Sequence, residues 1–490
     1  MNATTAVRFV ANVIDGEERE AASGATLEKR APATGDLLSL VARSGRSDVE
    51  AAVAAAVDAQ PAWARRPVAE RGAFLRRVTQ LLERDRQQVA AIVSAETGKA
   101  PKDALGETDG AIEMGYFVAG EGRRFYGRTT TSAVPNRQAM TIRQPVGVAG
   151  LIIAANTPVA NVAWKVYPAL LCGNAAVLKA SEDTPETALA FVNLAAEAGL
   201  PPGVLNVVHG LGPEAGQPIV EDPRVAVISF TGSTAVGRMI AEVAGRRLAK
   251  VCLELGGKNP LIVCDDADLE RAADGAALSA FSNAGQRCAA GSRIIVFDAV
   301  YDRFRELLLE RADAQRVGPG DEHDFGPVIN ERQLEGMLAA VERARKAGAT
   351  VIAGGYRLTG PGYDGGYYVS PTLVENAKPD AEISCTELFG PIATLYRVRG
   401  FEEALELAHR TPYGLTAAIW TRSVHRAQEF VARVRSGVAS VNGPTYGSEP
   451  HMPFGGLGAS GTGWREAGTE ALDVYSELKT VYVNHDPAAV

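Results

Sequence analysis

The chain is poor in the residues that build metal centres and disulfide frameworks. Its five cysteines, Cys172, Cys252, Cys264, Cys288 and Cys385, are scattered through 490 residues without CxxC spacing. That pattern excludes a disulfide scaffold or a zinc module and fits a reducing compartment, so a cytoplasmic protein is expected. The six histidines stand alone, with neither HxH nor HExxH, and no metal site is expected. Basic residues are not in excess: the net charge of −8 excludes nucleic acid as the main partner, because neutralising phosphates needs a basic surface. The densest basic cluster, Arg123, Arg124 and Arg128 around Phe125 and Tyr126, reads as a solvated or subunit-facing patch. No stretch reaches the ~18 uninterrupted apolar residues of a membrane span, so no membrane partner is expected. The opening MNATTAVRFVANVIDGEERE lacks a basic segment followed by a long apolar run, so no secretory signal is read.

What is present is a long chain, too long for one core; roughly 150 residues per domain predicts about three. The first 120 residues read as mostly helical. Ser47 and Glu50 form a capping-box pattern before an alanine-rich helix, and a second helix runs through AERGAFLRRVTQLLERDRQQVAAIVSAETG to a stop at Gly98. Gly127 to Gly147 changes to threonines, Val134 and Ile142 around a Pro-Asn turn, which predicts an inserted β-hairpin and a candidate oligomerisation element. From Val146 the pattern alternates strand, loop and helix: VAGLIIAA, NAAVLKASE, a helix with Thr184 as N-cap and Gly199 as stop, VLNVVHG, and VAVISF. Short continuous apolar strands between helices predict an open, mostly parallel sheet with ligands beyond the carboxyl ends of its strands. The second half repeats the theme. TVYV near the end predicts a terminal strand with an open edge.

Several short stretches carry chemistry, and each alone has an ordinary alternative. FTGSTAVG, Phe230 to Gly237, joins a strand to a helix whose N-terminus suits phosphate; it is also a common glycine turn. Lys179 and Glu182 in KASE suit ribose hydroxyls, or are two solvated charges. Asn156 in AANTP could donate to an oxyanion, or sit in a turn. LELGGKNP places Glu254 beside a double glycine, and NAGQRCAAG surrounds Cys288 with small residues and Arg287. That setting favours an accessible thiol, although most single cysteines are small buried hydrophobes.

Together, AANTP, LKASE, FTGSTAVG, LELGGKNP, NAGQRC, ELFGP, PYGL and PFGGLGASGTG resemble, in order and spacing, the aldehyde dehydrogenase superfamily across nearly the whole chain. The resemblance implies an α/β fold with a Rossmann-type parallel-sheet cofactor domain (1–122 with 146–256), an α/β catalytic domain (257–457) and a small β oligomerisation domain (123–145 with 458–490). It implies Cys288 as nucleophile, Glu254 as general base, and Asn156 with the Cys288 backbone N–H as oxyanion hole. Cofactor contacts would come from Ala155, Lys179, Glu182, Phe230, Thr231, Gly232, Ser233, Val236, Leu255, Gly256, Glu387 and Phe389. The implied cofactor is NAD, with NADP as the variant that some members also use, because Glu182 accepts ribose hydroxyls but repels a 2′-phosphate. The implied product is a carboxylic acid formed from a small aldehyde, in a homodimer or homotetramer. A CoA-acylating enzyme, which would lack a glutamate at position 254, and a non-catalytic cofactor-binding protein on this fold are the alternatives.

The chain departs from the family's pattern at Ala155 and Thr157, where aromatics commonly flank the asparagine. Thr157 and Trp164 are therefore expected to shape the aldehyde tunnel. Arg287 before the nucleophile occurs in semialdehyde and phosphorylated-aldehyde branches, and is either an anchor for an anionic tail or part of a structural salt bridge. The C-terminal REAGTEALDVYSELKTVYV also resembles semialdehyde-acid members, such as those acting on α-ketoglutaric semialdehyde.

Overall fold

The computed structural model describes residues 7–489; residues 1–6, at the start of the stretch read for a secretory signal, lie outside it. Two seven-stranded sheets form its frame. In the first, Val148–Ile152, Ala175–Lys179, Leu205–Val208, Val225–Thr231 and Lys250–Glu254 run parallel. Helices Pro158–Leu171, Pro185–Glu197 and Thr234–Arg246 connect or follow them. These strands are almost wholly buried, as the continuous apolar runs predict. The second sheet is parallel through Thr372–Glu375, Ile392–Val398, Gly291–Phe297, Asn259–Val263, Thr416–Trp420 and Val438–Val441. Thr350–Ala353 lies antiparallel at one edge.

The two sheets are joined by the double-glycine stretch. Lys250–Glu254 ends the first sheet at its carboxyl edge, and Asn259–Val263 opens the second at its amino edge, so Leu255 to Lys258 form the whole crossover. This short link brings the two edges face to face. Register does the rest: Thr231 pairs with Glu254 and Ile152 with both Phe230 and Lys179, so the motif residues of separate strands leave the sheet at one edge.

The expected hairpin is present as Thr129–Thr131 and Arg137–Pro145, turned at Asn136 with a left-handed φ of 59°. The terminal strand Ser476–Asn484 pairs antiparallel along the full length of Arg137–Pro145 and forms the open edge of that three-stranded sheet. Arg123, Arg124 and Arg128 are exposed beside it, Arg124 paired with Glu121.

Four local expectations are corrected. Residues 8–42 form five short strands rather than helix; Asn12–Ile14 joins the first sheet antiparallel to Leu205–Val208. The first helix, Arg46–Ala64, begins earlier than the Ser47/Glu50 pattern implies, because Asp48 accepts the Gly45 backbone N–H at 2.9 Å. The single long helix is two, Val68–Arg84 and Arg86–Thr97, broken at Asp85; the stop at Gly98 holds, with φ 75°. Thr184 is at the N-cap position, but its hydroxyl makes no cap. Glu96 instead accepts the Glu186 and Thr187 backbone N–H groups at 2.7 and 2.9 Å.

Candidate active site

A cavity of about 480 Å³ lies between the facing sheet edges, lined by Asn156, Thr157, Trp164, Thr231, Gly232, Ser233, Glu254, Leu255, Gly256, Arg287, Cys288, Glu387 and Phe389. Most of the residues singled out in the sequence thus converge on one space. Ala155 lines a smaller adjoining pocket that shares Asn156 and Phe389. Lys179, Glu182, Phe230 and Val236 stand outside the cavity, on the Rossmann side of the first sheet's edge. A larger open groove, of about 1230 Å³, runs along Arg397, Arg399 and Arg410; it contains none of the motif residues, and each of these arginines is paired to a carboxylate.

Cys288 reaches the cavity through an unusual backbone path. Helix Leu269–Phe281 stops, and Asn283 and Ala284 both take a left-handed φ of 54°, a conformation asparagine tolerates better than most residues. Asn259 then pins the loop: its amide donates to the carbonyls of Cys288 and Ala290 at 2.8 and 2.9 Å and accepts from the Thr416 N–H at 3.1 Å. The double glycine is required by this closeness. A Cβ on Gly257 would lie 2.4 Å from the Cys288 carbonyl oxygen, and one on Gly256 only 1.9 Å from Glu387 Oε2. Burial pushes the Cys288 thiol up to about 12, with the Glu387 and Glu254 carboxylates adding to the effect and Arg287 opposing it.

Glu254 is buried, and neither carboxyl oxygen has a hydrogen-bond partner among the described residues. Burial, then the nearby Glu466 carboxylate, raises its pKa well above the ordinary carboxylate range, against Lys165 and Arg465. The raised pKa makes its carboxylate form a stronger base than an ordinary glutamate, and its oxygens are not tied to protein donors. Glu466 also lines the cavity and belongs to a buried cluster. Lys165 contacts it and donates to Ser229 Oγ at 2.9 Å, while Ser229 Oγ donates to Glu466 at 2.7 Å. Neither Lys165 nor Glu466 was found by reading motifs. A lysine inside the mostly apolar helix PVANVAWKVYPALL was the available signal.

The Asn156 side-chain N–H₂ donates to the Gln286 carbonyl at 3.1 Å, which fixes the amide plane and leaves its other N–H for a ligand. Thr157 does not open space at random: its hydroxyl accepts from Asn161 Nδ2 at 2.9 Å. Trp164 packs edge-on against Phe454, ring centroids 5.5 Å apart, in the small apolar cluster that includes Cys288.

The nucleotide residues are arranged to suit a dinucleotide. Ser233 caps helix Thr234–Arg246, its Oγ accepting the Val236 N–H at 3.4 Å, so the positive end of that helix opens beside Gly232. Phe230 lies against Gly232, where a Cβ would stand 2.4 Å from the ring. Lys179 and Glu182 pair at 3.0 Å. Burial is the largest single influence and would raise the Glu182 pKa, but Lys179, the Glu182 backbone N–H and Arg332 together hold the carboxylate below its usual range, ionised and able to accept ribose hydroxyls. Glu387 accepts the Gly257 N–H at 3.1 Å; burial raises its pKa to about 7. Phe389 beside it holds φ at 56°, a strained value for a bulky residue.

Arg287 makes no ion pair among the described residues. Its guanidinium stacks over the Tyr446 ring at 4.5 Å and its buried Nε has no partner there; the Asp103 carboxylate feels its charge, which opposes the upward push of burial on Asp103, but the two form no direct salt bridge. Among the described residues, no group of three His, Cys, Asp or Glu is placed to hold a metal ion, and no helix is long and apolar enough to cross a membrane.

Comparisons with known proteins identify the family. The model of the aldehyde dehydrogenase family matches residues 19–481. The α-ketoglutaric semialdehyde dehydrogenase of Bacillus subtilis (strain 168) is 38% identical over 99% of this chain and 100% of its own. The 2,5-dioxopentanoate dehydrogenase of Saccharolobus solfataricus is 40% identical over 89% of this chain and 91% of its own. Among solved structures, betaine aldehyde dehydrogenase from Staphylococcus aureus in complex with NAD+ superimposes with a TM-score of 0.95 at 31% identity, covering 98% of this chain and 95% of that one. With the family model spanning almost the whole chain and full-length relatives near 40% identity, this protein belongs to the aldehyde dehydrogenase family.

Proposed function

We propose that this enzyme oxidises the aldehyde group of a semialdehyde acid of the α-ketoglutaric semialdehyde type to the carboxylic acid, using NAD. The observation that carries the substrate class is Arg287, a guanidinium that makes no direct ion pair among the described residues and lies in the same cavity as Cys288 and Glu254. The two semialdehyde relatives support the same class, since 2,5-dioxopentanoate and α-ketoglutaric semialdehyde name one molecule with an aldehyde at one end and a carboxylate at the other.

The residues divide the work. Lys179 and Glu182 hold the adenosine ribose, Gly232 and the helix capped by Ser233 take the phosphates, and Glu387 takes the second ribose, with Ala155, Thr231, Val236 and Leu255 along the path. Bound NAD supplies the hydride acceptor. An aldehyde carbon does not release hydride until it gains electron density, so Cys288 first forms a C–S bond to it. Burial keeps the thiol protonated at rest, so its proton passes to solvent water in the open cavity as sulfur attacks. Asn156 and the Cys288 backbone N–H then face the oxyanion; one such donor is typically worth ~3–4 kcal/mol in the barrier. Loss of hydride leaves a thioester on Cys288. Glu254 takes a proton from water as it attacks that thioester, releasing the acid and the thiol. Glu254 then returns that proton to the departing Cys288 sulfur, which restores both groups.

The same reading includes assembly and place. The open nine-residue edge of Ser476–Asn484 and the exposed Ile142, Leu478, Tyr482 and Val483 suit pairing with a second copy, as a homodimer or homotetramer. Five free cysteines fit the cytoplasm. The domain limits 1–122 with 146–256, 257–457, and 123–145 with 458–490 belong to the proposal, with one change. Gly461 bridges Glu254 and Glu466 pairs with Lys165, so residues 458–475 are assigned to the catalytic centre and only the strand from Ser476 to the arm. NADH formation by aliphatic, aromatic and acidic aldehydes, each with NAD and with NADP, tests the function. A clear preference for acidic aldehydes with NAD is expected; a preference for neutral aldehydes removes the substrate assignment.

A further inference from the structure

A buried ion pair outside the motifs touches the oxyanion residue. Lys99 and Glu107 are 4% and 5% exposed and lie 2.5 Å apart. Lys99 Nζ also donates to the Asn156 backbone carbonyl at 2.8 Å. The other oxygen of Glu107 accepts the backbone N–H groups of Val159 and Ala160 at 3.0 and 3.3 Å, the first turn of helix Pro158–Leu171. Thr157, at the N-cap position of that helix, makes no side-chain cap, so Glu107 supplies it from 52 residues away. The pair therefore grips the loop on both sides of Asn156–Thr157, at the carbonyl before the helix and at the amides inside it. Lys99 is itself held: Gly98 turns in a left-handed conformation and Ser94 Oγ donates to the Lys99 carbonyl at 2.7 Å. Glu107 rides on helix Pro101–Glu121. The only other hold on the Asn156 carbonyl among the described residues is a long contact from Asn283 Nδ2, 3.5 Å.

We propose that Lys99 and Glu107 are positioning residues for the oxyanion hole, acting through the Asn156 backbone rather than touching substrate. An oxyanion donor works only where the charge develops, and misplacement by about 1 Å can cost ~10²-fold in rate. A two-point grip by a buried, mutually neutralised pair holds the amide without presenting net charge to the aldehyde. The inference rests on the role given to Asn156 under the proposed function.

The test compares Glu107→Gln, which keeps an acceptor for the helix amides and leaves Lys99 in place, with Lys99→Met/Glu107→Gln, which keeps the cap and removes only the tether to Asn156. The double variant buries no unpaired charge, so folding is preserved; thermal melting checks this. The pre-steady-state NADH burst is expected to be about tenfold or more slower in the double variant than in Glu107→Gln, by the positioning argument. KM for aldehyde and the dissociation constant for NAD should change by less than about twofold, since no binding contact is removed. Asn156→Ala is measured alongside. If Asn156→Ala slows the burst and the double variant does not, the positioning role is overturned. A rise in KM that accounts for the whole loss also overturns it. If Asn156→Ala leaves the burst unchanged, the oxyanion assignment fails instead, independently of Lys99.

Discussion

Replacing Arg287 by leucine should convert a selective enzyme into an indifferent one. The guanidinium stacks on Tyr446 at 4.5 Å with its Nε unpartnered and no direct salt bridge among the described residues, Asp103 sensing its charge without bonding to it, so its hydrogen-bonding capacity is available to a ligand. A hydrogen bond to a charged group contributes about 1.5–3 kcal/mol, which is roughly 10- to 150-fold in kcat/KM at 1.4 kcal/mol per tenfold. Losing the stack on Tyr446 removes about 0.5–1 kcal/mol of local order, which should cost a neutral aldehyde no more than about fivefold. The ratio of kcat/KM for a semialdehyde acid over an alkanal of equal length should therefore fall by at least about tenfold in Arg287→Leu. Arg287→Lys should lie between the two, since it keeps the charge and loses the planar fork. Steady-state kinetics on both aldehydes at saturating NAD measure the ratio. Equal losses for the two substrates would refute the anchor.

Two further outcomes follow from the site. Alkylation of Cys288 by iodoacetamide without cofactor should climb close to tenfold per pH unit from about pH 7 to about 10, because burial and two carboxylates hold the thiol near 12 and only thiolate reacts; a plateau below pH 9 would contradict the environment described. Gly256→Ala sets a Cβ 1.9 Å from Glu387 Oε2 and must displace that carboxylate from the Gly257 N–H, so NAD affinity should weaken by roughly tenfold or more, about one charge-assisted hydrogen bond. Titration calorimetry reads the second, and unchanged NAD binding would remove Glu387 from the cofactor site.

The fold was legible where period and punctuation are strong. Buried parallel strands announce themselves as short apolar runs, and the hairpin and terminal strand stood out by threonine, valine and tyrosine content. The first 42 residues misled because three-residue strands such as Arg8–Val10 and Glu17–Arg19 are too short to show alternation. Asp85 breaks a helix without glycine or proline to signal it. At the site, residues inside motifs could be named because order and spacing identify them together. Lys99, Glu107, Lys165 and Glu466 were silent for another reason. The groups they hold lie tens to hundreds of residues away, Asn156 and Val159 for the Lys99–Glu107 pair and each other for Lys165 and Glu466, and a buried lysine and a surface lysine look alike until the chain is packed. The crossover from Glu254 to Asn259 was visible as a motif, but not as the hinge that sets two sheet edges opposite one another.

The division of labour between Cys288 and Glu254 is the centre of the account, and Glu254→Gln tests it most directly. Glutamine fills the same volume and buries no charge, so the fold should tolerate it. Mixed rapidly with NAD and aldehyde, the variant should release close to one NADH per active site at a rate near that of the parent enzyme. Turnover should then fall by about 10²–10⁴-fold as the Cys288 thioester accumulates, the span expected for losing a general base. Mass spectrometry of the quenched protein should find the acyl group on Cys288. Full steady-state turnover, or loss of the burst itself, would contradict the assignment of Glu254 to the step after hydride transfer.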